Sequence, residues 1–295
     1  MGFILQILNG LQLGSIYALV ALGYTMVYGI ARLINFAHGE IIMIGAYTTV
    51  FSINLILIKY NLPLWLAIFP AVIICTIFGI AIERLAYKPL RNSPRISNLI
   101  TAIGVSLLLQ NTVMKIFGAS SRAVPPIFTA KPFVIAGTNV SKSAVITVVV
   151  TAILTYLLQV FMKKTKQGKA MVAVSQDRGA AELVGINVDN TLTLTFGIGA
   201  ALAGVASILY MAAYPQANPL MGSLLGIKAF TAAVFGGIGL IPGAVLGGFF
   251  LGVIESLTRA YISSKLADAI VFGLLILVLL IKPTGLLGQS DKEKV

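Results

Sequence analysis

Charge is scarce in this sequence: 10% of its 295 residues are Asp, Glu, Lys or Arg, against about a quarter in an ordinary soluble domain. Acidic groups are scarcest, with 9 Asp and Glu beside 21 Lys and Arg, and there is one histidine, one cysteine and one tryptophan. Each shortage removes a class of function. A single Cys75 can build neither a disulfide framework nor a cysteine metal cluster within the chain. His38, the sole histidine, has no acidic cluster around it in sequence, so no metal site is expected. A membrane-embedded enzyme would need acid–base pairs that these residues do not supply, and no cofactor is called for. A phosphate loop is also missing: the one Gly-Lys pair, Gly168-Lys169, has Lys163 where the first glycine should stand. The chain is not expected to hydrolyse ATP. Finally, a stand-alone channel or ion-coupled carrier often carries acidic residues in its spans, and few are available.

What the chain has instead is apolar length. It is 58% hydrophobic with a mean hydropathy of +0.98. A hydrocarbon core of about 30 Å takes about 20 apolar residues per helix. Charge-free intervals of that order lie between Glu40 and Lys59, Lys59 and Glu83, Arg95 and Lys115, and Lys142 and Lys163. Longer ones run from Met1 to Ala31, Asp189 to Lys228 and Lys228 to Glu255. Nine spans are predicted: Phe3 to Tyr28, Ala37 to Ile58, Leu64 to Ile82, Asn98 to Phe117, Ser143 to Met162, Thr191 to Ala213, Ala229 to Ile241, Gly243 to Tyr261, and Leu266 to Ile281. The first lacks the basic n-region of a secretory signal and reads as a retained helix. The fold class is therefore all-α, a polytopic helical bundle forming one domain over residues 1–295.

The net charge of +12 belongs to the flanks of these spans and forms no continuous patch for nucleic acid. Lys88, Arg91 and Arg95 mark one basic loop, and Lys163, Lys164, Lys166, Lys169 and Arg178 another. Both should be cytoplasmic, which puts the N terminus outside and the tail, with Lys282, Lys292 and Lys294, inside. Arg122 and Lys131 then fall in an external loop, against the trend. Small residues at helical spacing (Gly248 and Gly252, Ala200 and Gly204) point to close packing inside the bundle. Glu255 and Arg259, four apart, predict an ion pair on one helix face.

Two segments interrupt the apolar pattern. Arg32, Asn35, His38, Gly39 and Glu40 form a polar island within residues 31–40, and four glycines with Pro242 occupy residues 235–243. Interrupted backbone at membrane depth survives only in protein or beside a wet cavity, and one early and one late break suits a transporter of inverted repeats with half-helices at the midplane. Half-helix ends would receive a zwitterion: N–H groups its carboxylate, freed carbonyls its ammonium. A plain cytoplasmic turn at Arg32 to Glu40 and close helix packing at the glycines explain the same residues. Between residues 163 and 190, small apolar residues recur near helical period. Asp177 is placed to cap a short helix from Arg178 to Val184, with Gly185 as its C′ residue. That surface would slot into a soluble partner or lie solvated on the membrane.

Three motifs, in order, resemble one family. Asn9 to Gly29 (NGLQLGSIYALVALGYTMVYG) with Leu33 to Glu40 (LINFAHGE), Ala173 to Ile186 (AVSQDRGAAELVGI) and Ala233 to Gly243 (AVFGGIGLIPG) are similar to permease subunits of bacterial branched-chain amino acid ABC importers of the LivH type. The resemblance covers nearly the whole chain and is less specific for solute, since urea and short-amide importers use similar permeases. It implies a multi-pass protein of the bacterial cytoplasmic membrane that pairs with a second homologous permease, two cytoplasmic ATPase subunits and an extracytoplasmic solute-binding protein. It also implies that Asn35, His38, Gly39, Gly236, Gly237 and Gly239 lie near the solute path. Asp177, Arg178, Ala180, Ala181 and Gly185 would couple the chain to an ATPase. Gly179 departs from the family pattern and puts the continuity of that short helix in question.

Overall fold

In lipid a backbone must satisfy its own polar groups, and the computed structural model, which describes residues 2–91, 93–128, 132–135 and 138–288, is accordingly a bundle of helices. Lys131, Lys292 and Lys294 lie outside the described residues. In chain order the helices are α1 (Gly2–Ala31), α2 (His38–Ser52, extended by a wide turn to Leu57), α3 (Ile68–Ile82, within an apolar stretch Leu64–Leu90), α4 (Arg95–Phe117), α5 (Lys142–Lys164), α6 (Lys166–Gln176), α7 (Arg178–Leu183), α8 (Val188–Ala213), α9 (Met221–Gly236), α10 (Ile241–Tyr261) and α11 (Ala267–Ile281). Seven of these stretches are long and apolar enough to cross a bilayer; α9 and α11 are shorter. Two small antiparallel ribbons complete the described structure: β1 (Arg122–Ala123) with β4 (Gln216–Ala217), and β2 (Phe133–Ile135) with β3 (Thr138–Val140).

The nine predicted spans are all represented, with one displaced. The seventh was placed at Ala229 to Ile241, but α9 starts eight residues earlier. Lys228, taken as a flank, is instead inside, 2% exposed, with its Nζ 2.7 Å from Glu255 Oε1 and 2.5 Å from Asp268 Oδ1. Tyr17 donates to the other Glu255 oxygen at 2.7 Å, and Arg259 also reaches Glu255. The expected Glu255–Arg259 pair thus belongs to a larger network that neutralises a lysine within the bundle, as a buried charge requires.

α1, α2 and α8 form the core, and α4 and α5 turn apolar faces outward, with Ile100, Leu108, Ile153 and Leu157 exposed. The α1–α10 seam explains the small residues. A methyl group added at Gly14 would stand 2.7 Å from Phe249 Cα, and one at Gly248 2.6 Å from Ala18 Cα. Only glycine allows this approach, which maximises dispersion contact where water supplies no drive for association. Several hydroxyls within the spans return to their own helix, as Thr49 does to the Gly45 carbonyl and Thr195 to that of Thr191.

Contacts sort the connections onto two ends. At the basic end, Arg178 donates to the carbonyl of Ala31 and Arg32 to that of Ser175. Arg91 pairs with Glu83 and Asp189 there, and the Leu286 N–H meets the Phe235 carbonyl. At the far end, Arg122 donates to the Phe117 carbonyl and stacks its guanidinium on Phe51 and Phe117, and Phe3 packs on Tyr261. Arg122, which ran against the charge trend, is thus held by a carbonyl and two rings. The grouping is the one that alternating spans demand.

Candidate functional site: a mid-bundle junction and a basic-end surface

α1 stops at Ala31 with Arg32 in left-handed conformation (φ 57°), its N–H on the Tyr28 carbonyl at 2.9 Å; this is an αL cap in which arginine occupies the usual glycine place. The chain then runs without helix until His38 opens α2. His38 does not sit at the end of the bundle. Its ring lies 4.8 Å from that of Tyr24 and fills the space beside Gly23, eight residues and about 12 Å back along α1. Six extended residues reach about 20 Å, so Arg32 to Ala37 carries the chain back into the protein. On the way Asn35 is buried and accepts from Tyr87 Oη at 2.9 Å. A plain turn at the surface is thereby ruled out.

The second half repeats this turn. α8 ends at Ala213, residues 214–220 return, and α9 opens at Met221. The His38 N–H bonds to the Asn35 carbonyl at 3.1 Å and the Met221 N–H to the Asn218 carbonyl at 3.2 Å. Each asparagine stands four residues before a glycine, Asn35 before Gly39 and Asn218 before Gly222, and the two glycines meet. A methyl at Gly222 would stand 2.7 Å from the Gly39 carbonyl oxygen, and one at Gly39 would strike the Gly222 carbonyl. This reciprocal contact is what a two-fold relation between halves produces. From it α2 runs to the far end, where Tyr47 stacks on Phe117 at 5.4 Å, and α9 runs to the basic end.

Between the two helix starts lies Glu40, fully buried. Its Oε1 accepts from Ser223 at 2.8 Å and Ser106 at 3.1 Å, and Gln110 donates to Ser223 at 3.1 Å. Its Oε2 faces Gly222 and has no partner among the described residues. A carboxylate is tolerable here because the positive ends of two helix dipoles converge on it. Sequence reading placed Glu40 in the polar island of residues 31–40 but not among the path residues, and it missed Ser106, Gln110 and Ser223. The available signal was a serine and a glutamine four apart on one face of an apolar span.

Of the expected path residues, the structure gathers Asn35, His38 and Gly39 here, but not Gly236, Gly237 and Gly239. Those lie fourteen or more residues along α9, about 21 Å away, in the α9–α10 turn at the basic end. Gly237 (φ 110°) and Gly239 (φ 95°) shape that turn, Gly239 touches Gly29, and the Leu287 N–H bonds the Gly236 carbonyl at 3.1 Å. The second break at mid-depth is therefore at residues 214–221 and not at 235–243. Its counterpart of the glycine turn is the α2–α3 connection, where Asn61 takes positive φ.

The basic-end surface carries the other expected group. Asp177 Oδ1 accepts the Ala180 N–H at 3.0 Å and so caps α7. Gly185 (φ 84°) closes it, with Gly185 N–H on the Glu182 carbonyl at 2.9 Å and Ile186 N–H on that of Ala181 at 3.0 Å, the pair of bonds of a Schellman motif. The helix runs unbroken through Gly179. Leu183 and Val184 project at 90% and 75% exposure, whereas Ala181 faces inward. Arg178 ties the helix to the end of α1, and its guanidinium is held below its usual pKa by partial burial and by the nearby Arg91 and Arg32.

Residues 6–279 match the family described as branched-chain amino acid transport system / permease component. The chain belongs to that family. It is 46% identical to the high-affinity branched-chain amino acid transport system permease protein LivH of Salmonella typhimurium, over 99% of this chain and 98% of the relative. It is 47% identical to BraD of Pseudomonas aeruginosa over the same shares, and 30% identical to a probable LivH of Methanocaldococcus jannaschii over 95% and 90%. No solved structure matches. Family membership and the seven apolar spans make this a multi-pass membrane transport permease and not an enzyme.

Proposed function

We propose that the chain is the membrane-spanning subunit of an ATP-binding cassette importer for leucine, isoleucine and valine, and that the α2–α9 junction is the point its solute must pass. The observation that carries the reading is the pair of opposed half-helices meeting at Gly39 and Gly222, with Glu40 unsaturated between them. An amino acid presents an ammonium to the free Glu40 oxygen, its carboxylate to the N-terminal dipole of α2 or α9, and its aliphatic chain to the apolar walls. Urea has no cation for Glu40, which favours the amino acid over the short-amide alternative. Gly236, Gly237 and Gly239 serve as the inner hinge of α9. Asp177, Arg178, Ala180, Ala181 and Gly185 hold α7 so that Leu183 and Val184 enter a groove on an ATPase.

The partners of this reading are those the family resemblance implies: two ATPase subunits, a second, homologous permease and an external solute-binding protein. The missing phosphate loop agrees with ATP hydrolysis on separate subunits. The test is reconstitution of that assembly in liposomes with labelled leucine and labelled urea. ATP-dependent leucine uptake is expected; uptake by the isolated chain without ATP, or of urea alone, overturns the reading.

A further inference from the structure

Two adjoining cavities at the basic end have no part in this scheme. One, of about 410 Å³, is lined by Tyr28, Leu33, Ile34, Ile96 and Leu99 with Arg32 and Asn98. The other, of about 320 Å³, is lined by Arg91, Ser93 and Arg178 and shares Arg32, Leu33 and Asn98 with the first. Together they form one groove, apolar toward the bundle and cationic toward its end, between the turn after α1 and the start of α4.

The charges in it are unbalanced. Arg91 is paired with Glu83 and Asp189, but among the described residues neither Arg32 nor Arg178 has a carboxylate in ion-pair reach; both donate to backbone carbonyls instead. The pKa of Arg178 is lowered first by burial and then by Arg91 and Arg32, which agrees with a cluster of cations at this wall. Asn98 lines both cavities, is 5% exposed, and its amide oxygen has no partner among the described residues. Ile96, on the same wall, is exposed on the outer surface of α4. Cations, a waiting hydrogen-bond acceptor and an apolar trough at the basic rim of a membrane protein are complementary to one ligand chemistry.

We propose that this groove binds an anionic phospholipid of the phosphatidylglycerol class. Arg32 and Arg178 hold its phosphate, Asn98 accepts from a headgroup hydroxyl, and an acyl chain lies along Leu33, Ile34, Ile96 and Leu99. The lipid would bridge α1, α4 and the α6–α7 junction, so it would stiffen the base on which α7 sits. This inference does not depend on which solute is carried.

The test is native mass spectrometry of the purified full-length chain in neutral detergent, with equal phosphatidylglycerol and phosphatidylcholine added. One tightly retained phosphatidylglycerol is expected, weakened about fivefold for each arginine removed, in Arg32→Gly and in Arg178→Gln. Arg32→Gly suits the left-handed backbone at that position, so loss of lipid there is not loss of fold. Arg84→Gln, at the same end but outside the groove, is expected to retain the lipid. Equal retention of both lipids, equal loss in Arg84→Gln, or displacement of the bound species by excess inorganic phosphate or by leucine overturns the proposal.

Discussion

At the scale of single residues, a carboxylate with one free oxygen inside an apolar bundle is the most consequential feature of this permease. Glu40→Gln keeps the acceptor that Ser106 and Ser223 use and replaces the charge and the free oxygen with a neutral amide NH2. A hydrogen bond to a charged group contributes about 1.5–3 kcal/mol, so the leucine KM of the reconstituted importer should rise about tenfold or more, with little change in melting temperature. An unchanged KM would separate Glu40 from solute handling. Arg32 makes the opposite case, a residue retained at a conformational cost. A non-glycine residue in the left-handed region costs about 1–2 kcal/mol, so Arg32→Gly should stabilise the detergent-solubilised chain by about 1 kcal/mol, read as a raised melting temperature. The weak bond from Arg32 to Ser175, at 3.4 Å, offsets little of this.

At the scale of elements, short helices depend on their caps and long ones on their seams. α7 has six residues, too few to be stable alone, and rests on Asp177, Gly185 and the Arg178 tether. Asp177→Ala removes a cap contribution of about 1 kcal/mol. It should loosen α7 and lower both ATPase co-purification and ATP-driven uptake, while the purified chain keeps its melting temperature; unchanged uptake would remove α7 from coupling. The α1–α10 seam behaves differently, because its tolerance for added volume is nil. Gly14→Val places bulk against Phe249 Cα and the Gly248 carbonyl and should cost about 3 kcal/mol or more, seen as loss of folded chain on size-exclusion chromatography.

Elements also show which parts of the fold were legible in the residues and which were not. The caps of α7 follow from side-chain chemistry within a few residues, and so they read correctly from spacing. Apart from the seventh, the spans read correctly wherever charge bounded them. The second re-entrant turn did not, because residues 214–222 lie inside the charge-free interval from Asp189 to Lys228 and carry no glycine run. Its local signals were Pro215 and the Asn218-Pro219 pair, which were passed over, and the placing of Asn218 four residues before Gly222 gains meaning only beside Asn35 and Gly39. Lys228 misplaced α9 because a lysine neutralised by Glu255 and Asp268 in space looks, along the chain, like the edge of a membrane.

At the scale of the whole molecule, the halves are related by inversion, and the relation has a mechanical consequence. If Gly39 and Gly222 are two sides of one contact, a methyl group on either must force the same separation of α2 from α9. Single variants Gly39→Ala and Gly222→Ala should therefore give matching defects in uptake. The pair should cost less than the sum of the two, since one displacement accommodates both. A substitution in only one of two independent turns would instead give unequal, additive effects. Uptake measured across this double-mutant cycle, with folded yield as control, distinguishes a shared axis from two unrelated breaks. Additive losses would mean that the halves resemble each other without moving as a unit. Coupled losses would locate the moving joint of the permease at its centre, where α2 and α9 begin, and not at the glycine turn on its basic end.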